Sequence, residues 1–273
     1  MRRNRLKRSA LTLVWVLVCA SISSVAWAGV VLGSAETFAV LGYSTVTNAG
    51  LTTLVGDLGS SEGAGITGFY ATNLNSGPGT FTGTSYEANP YAKQARADAA
   101  TASNYLNSLT ATETLSGKNL GGLTLTPGVY LYDTSAALTG NLILDGAGDY
   151  VFKIGSTLTA APNSSISFIN GANPYSDVFW NVGSSATLQY GTTFGGTIIS
   201  TASNTLGAGA SVAGRVIALG GAVTLDNNNI VSAASPASPA VPEPSTLLFM
   251  MAVGGLAMVR RRRTVWLWMT SKR

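Results

Sequence analysis

Three threonines near the end of the chain recur in the same company. Thr187 sits between Ala186 and Leu188, Thr205 between Asn204 and Leu206, and Thr224 between Val223 and Leu225, at offsets of 18 and then 19 residues. A threonine carries a hydroxyl that hydrogen-bonds and a methyl that does not, on a side chain with a stiff first torsion. Such groups in a row would order water or grip a repeating polar surface; they would not transform a substrate. Side chains for covalent chemistry are scarce. The chain has no His, and its single cysteine is Cys19. A zinc site or a nucleophile triad as usually built is therefore excluded. Asp145 and Asp149 stand four apart and could be imagined as calcium ligands, but the Gly-Ala-Gly between them reads as a coil corner. We expect no catalytic residues, no metal and no cofactor, and read the chain as no enzyme.

A strand-and-turn repeat must position the threonines. The run from Phe194 to Ile199 is answered by Val212 to Ile217, and Gly191 by Gly209. Short β-branched runs broken by Gly and Asn at this period predict a parallel β-solenoid. Alternate side chains of a strand face opposite sides, and neighbouring strands lie about 4.8 Å apart. If Leu188, Leu206 and Leu225 point inward, Thr187, Thr205 and Thr224 form an outward column. By the same logic Thr193 and Ser211 point out beside each other, and Thr157, next to inward Leu158, extends one of these columns. Threonine is favoured in strands wherever it occurs, so an ordinary solvated wall also fits. Gln189, Tyr190 and Arg215 interrupt the neighbourhood.

One segment breaks the β pattern. Asn89 is a good N-cap and Pro90 suits the first helical position. Tyr91, Ala95, Ala99, Ala102, Leu106 and Leu109 follow at spacings of 3 and 4, which places them on one face. The spacing predicts a helix over about 90–109, lying close against a flat β surface, with Lys93, Arg96 and Asp98 turned to water.

The net charge of +4 is concentrated at the ends. Residues 29–240 hold five bases against eleven acids, 5 − 11 = −6, so no nucleic-acid partner is expected. Residues 1–28 read as an export signal peptide: a basic start, an apolar stretch from Leu11 to Ile22, and small residues at Ala26 and Ala28. Residues 29–231 form the folded domain, and 232–241 a Ser/Ala/Pro linker. Pro242, Glu243 and Pro244 then precede an apolar run from Leu247 to Val259 and four arginines, Arg260 to Arg263. Residues 242–263 resemble the PEP-CTERM sorting signal of Gram-negative bacteria, which is read by an exosortase. Residues 264–273 are an additional tail.

The strand segments resemble a known family. Phe38 to Leu41 with Thr45 and Asn48, Gly56 to Gly59, Leu125 to Tyr130, Leu144 to Asp149, Val178 to Gly183 and Ala222 to Asp226 are similar to the ice-binding-like β-solenoid family. The resemblance implies a mainly β fold, a discontinuous parallel β-helix of roughly triangular section with one long α-helix packed alongside. It also implies that N-terminal strands complete coils in the same stack as later ones. Thr201, Ala202, Ser203 and Asn204 resemble a Thr-Ala/Gly-x-Thr/Asn pattern of ice-binding faces in that family. The expected ice-contacting set is Thr157, Thr187, Thr193, Thr201, Asn204, Thr205, Ser211 and Thr224. The expected partners are an ice crystal surface, the exosortase machinery, and a membrane through the C-terminal segment before processing, with the domain a monomer. The expected location is secreted or on the cell surface. A structural adhesin or matrix protein associated with exopolysaccharide is the alternative.

Overall fold

Most coils include a short strand in which two apolar residues flank an outward one, and the apolar positions share one interior. The computed structural model describes residues 30–63, 65–70 and 77–232. The expected signal peptide, most of the linker, the motif at Pro242, Glu243 and Pro244, and the tail 264–273 lie outside the described residues.

Two parallel sheets enclose the core. A 7-stranded sheet runs in the order Ala136–Leu138, Leu158–Ala160, Ala186–Leu188, Asn204–Leu206, Val223–Leu225, Val46–Asn48, Ile66–Thr67. A 15-stranded sheet folds along an edge and supplies the other two walls. Its long strands Thr193–Ser200 and Ser211–Ala218 cross that edge at Gly196 and Gly214, with φ of 105° and 145°. A Cβ on Gly214 would stand 2.2 Å from the Gly196 carbonyl oxygen, so stacked coils can turn here only on glycine.

The stack is discontinuous, as the resemblance implies. Val223–Leu225 near the end of the domain is followed in space by Val46–Asn48 near its start. Phe38–Gly42 likewise pairs on Ser211–Ala218 through Val40 with Val216 and Leu41 with Ile217. The chain therefore fills the N-terminal end of the stack first, ending with Ser85–Glu87. The helix α1, Pro90–Ser108, then carries it to the opposite end, where Glu113–Thr114 begins the ascent. At 1.5 Å per residue α1 covers about 28 Å of that path.

Asn89 caps α1 by accepting from the Ala92 N–H at 2.9 Å. Ala92, Ala95, Ala99, Ala102 and Leu106 are buried against Leu41, Val129, Val151, Phe179, Ile199 and Ile217. Tyr91 is partly exposed at the margin, stacked near Phe38 and Tyr86. Ser103 donates to Asn181 Oδ1 at 2.7 Å, and Asn181 Nδ2 returns a bond to the Ser103 carbonyl. Lys153 Nζ donates to the Leu109 carbonyl at the C-terminal end, where a cation is favoured. Inside the solenoid Tyr130, Phe152, Trp180 and Phe194 stack in sequence, and Trp180 Nε1 donates to the Gly195 carbonyl.

Two outcomes follow. Ala99→Leu forces extra methyls between α1 and the wall and should cost about 1–3 kcal/mol in urea unfolding, while Ala97→Leu on the exposed face of α1 should be near neutral. Tyr132 is buried with no hydrogen-bond partner for its hydroxyl among the described residues, and burial, with a smaller push from Glu113, raises its pKa to about 12. The phenol stays protonated when folded but ionises near 10 when unfolded, so stability falls as pH rises from about 10 to 12. Tyr132→Phe should flatten that fall, measured as unfolding free energy against pH.

Candidate functional site

The 7-stranded sheet forms an outer wall whose strands are only two or three residues long, so each presents one central outward side chain. In register these are Ala137, Thr159, Thr187, Thr205, Thr224, Thr47 and Thr67. Six of the seven positions are threonine, in one uninterrupted file with no bulge along the wall. At about 4.8 Å per coil the seven positions span about 29 Å. The inward residues Leu138, Leu158, Leu188, Leu206 and Leu225 are buried and hold the file in place from behind.

A second rank lies two residues earlier on the same wall: Ser135, Thr157, Ser185, Ser203, Ala222, Thr45 and Gly65. Backbone N–H groups tie these residues coil to coil, with Leu158 donating to the Ser185 carbonyl, Ala186 to Ser203, Asn204 to Ala222 and Val223 to Thr45. Residues two apart on a strand are separated by about 6.7 Å, so the wall carries a two-dimensional lattice of small side chains, most of them hydroxyl-bearing, without a charge in either rank.

The two ranks differ in how their hydroxyls are used. In the second rank Thr157 Oγ1 donates to Ser135 Oγ at 2.8 Å, the Ser185 hydroxyl accepts from the Ser203 N–H, and the Ser203 hydroxyl accepts from the Ala222 N–H. Among the described residues no intrachain hydrogen bond engages the central hydroxyls of Thr159, Thr187, Thr205, Thr224, Thr47 and Thr67. Their hydrogen-bonding capacity faces outward.

The eight expected contact residues do not lie on one surface. Thr187, Thr205 and Thr224 stand together in the central file. Thr157 is on the same wall but in the second rank; Thr159 holds the place in the file. Thr201 lies at the preceding corner, and its hydroxyl donates to the Gly183 carbonyl. Asn204 is a correction: it is 0% exposed and faces the interior. It accepts from Ser200 Oγ at 2.6 Å and donates to the Ile217 carbonyl at 3.0 Å. The strand alternation that sends Thr205 out sends Asn204 in. Thr193 and Ser211 are side by side but on a different wall, in a column with Asn141, Ser165, Asn229, Thr53 and Thr80.

Of the three expected interruptions, Gln189 stays exposed two residues beyond Thr187, and the other two lie off the lattice. Arg215 is 2% exposed and lies on the helix side, donating to the carbonyls of Glu36 and Tyr175; burial lowers its pKa. Tyr190, 63% exposed, is at a corner, beside the lattice and not within it. Thr159, Thr47 and Thr67 were missed. The Leu-Thr-Ala of 158–160 departs from the Thr-Leu phrase of the repeat, and the other two lie far away in sequence. Asp145 accepts from Asn170 Nδ2, and Asp149 has its pKa raised by burial and by Asp177. Among the described residues no group of three or more His, Cys, Asp or Glu is arranged to hold a metal.

A family model described as ice-binding-like matches residues 40–231. The chain belongs to the ice-binding-like family. It is 46% identical over 236 residues to an ice-binding protein of Nostoc sp. (strain HG1), covering 84% of each chain. The crystal structure of an ice-binding protein from the Antarctic ascomycete Antarctomyces psychrotrophicus superposes with a TM-score of 0.70 at 39% identity, over 76% of this chain and 100% of that one. An ice-binding protein from an Arctic yeast, whose structure was described as the basis of its antifreeze activity, gives 0.71 at 30% identity, over 78% of this chain and 98% of that one. A PEP-CTERM protein-sorting motif matches residues 240–263, which marks the chain for export and sorting to the cell surface.

Asn204 and Thr205 should separate structure from contact. Asn204→Ala leaves the Ser200 hydroxyl and the Ile217 carbonyl without their partner and should cost about 1–3 kcal/mol in thermal or urea unfolding. Thr205→Ala, one residue away but outward, should change stability by no more than about 0.5 kcal/mol.

Proposed function

We propose that this protein binds ice through the wall that carries the file Thr159, Thr187, Thr205, Thr224, Thr47 and Thr67. The observation that supports this most is the register: six threonines at equivalent positions of consecutive coils, with hydroxyls that make no hydrogen bond among the described residues. Ice is a rigid, periodic array of hydrogen-bonding sites. A surface that matches it must already be ordered, because each side chain frozen on contact costs entropy. Threonine limits that cost through its stiff χ1, and the short strands hold its Cα on the repeat of the backbone. The methyls shield the lattice water beside each hydroxyl from bulk exchange. Adsorption needs no bond breaking, so the reading requires no catalytic group; the protein acts by occupying the crystal surface.

The C-terminal motif supports a route for the protein. A Gram-negative cell exports the chain, the segment at 242–263 holds it transiently in the membrane, and an exosortase processes it there.

Purified chain variants test the site. Thr205→Tyr raises a ring in the middle of the file and should lower thermal hysteresis and recrystallisation inhibition about tenfold or more, the loss of at least about 1.4 kcal/mol of adsorption energy. Thr193→Tyr, on the neighbouring wall, should leave both unchanged. The reverse pattern would place the ice surface on the wall of Thr193 and Ser211.

A further inference from the structure

Two neighbouring coils pass from the wall of Thr193 to the helix-covered wall through a residue followed by glycine. Asp145-Gly146 serves one coil and Asn170-Gly171 the next, with Asp145 the register partner of Ile169. Asn170 and Gly171 have φ of 52° and 93°, and the Ala172 N–H donates to the Ile169 carbonyl at 3.1 Å. Positive φ at both central residues is the pattern of a type I′ turn, which asparagine and glycine fill with little strain. The pair also brings two reactive groups together. A backbone nitrogen one residue beyond an asparagine can attack the side-chain carbonyl and close a five-membered imide. A glycine, without a Cβ, leaves that nitrogen unshielded. Asn-Gly occurs once in the chain, at 170–171, and Asp-Gly once, at 145–146.

The fold treats the two pairs differently. The Gly146 N–H is engaged, donating to the Ile169 carbonyl at 3.1 Å. The Gly171 N–H donates to no group among the described residues. Asn170 and Gly171 are both exposed, whereas Asp145 and Gly146 are half-buried. A carboxylate is also a poorer electrophile than an amide. Asn170 is held only by the Ala172 bond across the turn and by its own Nδ2, which donates to Asp145 Oδ1 at 2.5 Å. Breaking these two hydrogen bonds opens the turn locally and leaves the ladder of Ser165–Ile169 intact.

We infer that Asn170 is a site of spontaneous deamidation, at the edge opposite the threonine wall. From the opened turn the Gly171 nitrogen attacks Asn170 Cγ. The N–Cγ bond forms, the Cγ–Nδ2 bond breaks, and the amide proton of Gly171 leaves with Nδ2 as ammonia. Water then opens the imide at one of its two carbonyls. Opening at Cγ leaves aspartate; opening at the main-chain carbonyl leaves isoaspartate, with the backbone rerouted through Cβ and Cγ. Either product sets a carboxylate where an amide donated to Asp145. Asp149 and Asp177 line a cleft at the same edge, so the new charge joins an acidic neighbourhood. The loop beyond it carries Tyr175, whose carbonyl accepts from Arg215 at 3.0 Å, so the damage falls on the helix side. The threonine file belongs to the other sheet and keeps its place. That last consequence for ice contact rests on the reading of the threonine wall as the ice surface.

The purified full chain, incubated folded at mildly alkaline pH and mapped by peptide mass spectrometry, provides the test. The peptide holding Asn170 should exchange its amide for a carboxyl several-fold faster than any other asparagine peptide. Aspartate and isoaspartate forms should both appear and separate by chromatography. Raising the pH should quicken the reaction, because the Gly171 nitrogen attacks after losing its proton. The Asp145-Gly146 peptide should stay unmodified. Asp145→Ala frees the Asn170 amide and should speed conversion up to about tenfold, the release of one charge-assisted hydrogen bond. Another asparagine converting first, Asn170 intact while a synthetic peptide of residues 165–176 converts, or a rate indifferent to Asp145→Ala defeats the proposal. The deamidated fraction, separated by charge, should unfold at lower urea and keep the thermal hysteresis of fresh protein. Hysteresis lost from a folded deamidated fraction refutes the insulation of the threonine wall. Fresh protein without ice activity removes the ice reading, and the modification at Asn170 then stands or falls on the peptide map alone.

Discussion

In-register parallel stacking is the constraint on which everything else in this molecule depends. Backbone hydrogen bonds join each coil to the next at fixed positions, so a residue's place in its strand determines its place on the wall. Buried leucines and valines behind each strand prevent a slip of one residue, because a slip would turn every apolar side chain to solvent. Leu188, Leu206 and Leu225 thereby hold Thr187, Thr205 and Thr224 in line, although no threonine in the file bonds to another. The lattice on the outside is an imprint of the packing inside.

The same stacking explains why the two accessible walls are chemically different. On the wall of Thr193 and Ser211 the outward groups engage one another: Ser165 and Ser167 both donate to Asn141 Oδ1. Amides and mixed side-chain lengths make that surface uneven. On the threonine wall only the second rank is internally bonded, through Ser135, Thr157, Ser185 and Ser203. It stiffens the sheet beside a file that keeps its hydroxyls for an external partner. Arg215, which a linear reading sets close to this surface, is withdrawn beneath the N-terminal segment and hydrogen-bonded to Glu36 and Tyr175. The lattice is left without charge.

The discontinuity of the stack has a mechanical consequence. Strands from the start and end of the domain are neighbours in its middle, so separating either end requires breaking ladder bonds in the interior of the sheet, not at a fraying edge. The alanine-faced helix, sealed by the Ser103–Asn181 pair and by Lys153, closes the path between the two ends of the stack.

Much of this was legible in sequence. The period of Thr187, Thr205 and Thr224, the glycines at the corners, the Asn89-Pro90 helix start and the alanine stripe are local signals, and local sterics fix what each can become. Alternation within a strand also assigns Thr205 to the outside; applied strictly, it assigns Asn204 to the inside, which the family-like pattern at Thr201–Asn204 obscured. What the sequence could not tell was which outward positions share a wall. Thr193 and Thr187 lie six residues apart and face different directions because a corner intervenes. Thr47 and Thr67 lie more than a hundred residues away from Thr224 and extend its file. Side-chain direction is decided over two residues of backbone, whereas membership of a surface is decided by which distant strands hydrogen-bond. That choice is made only when the N-terminal coils close onto the C-terminal ones.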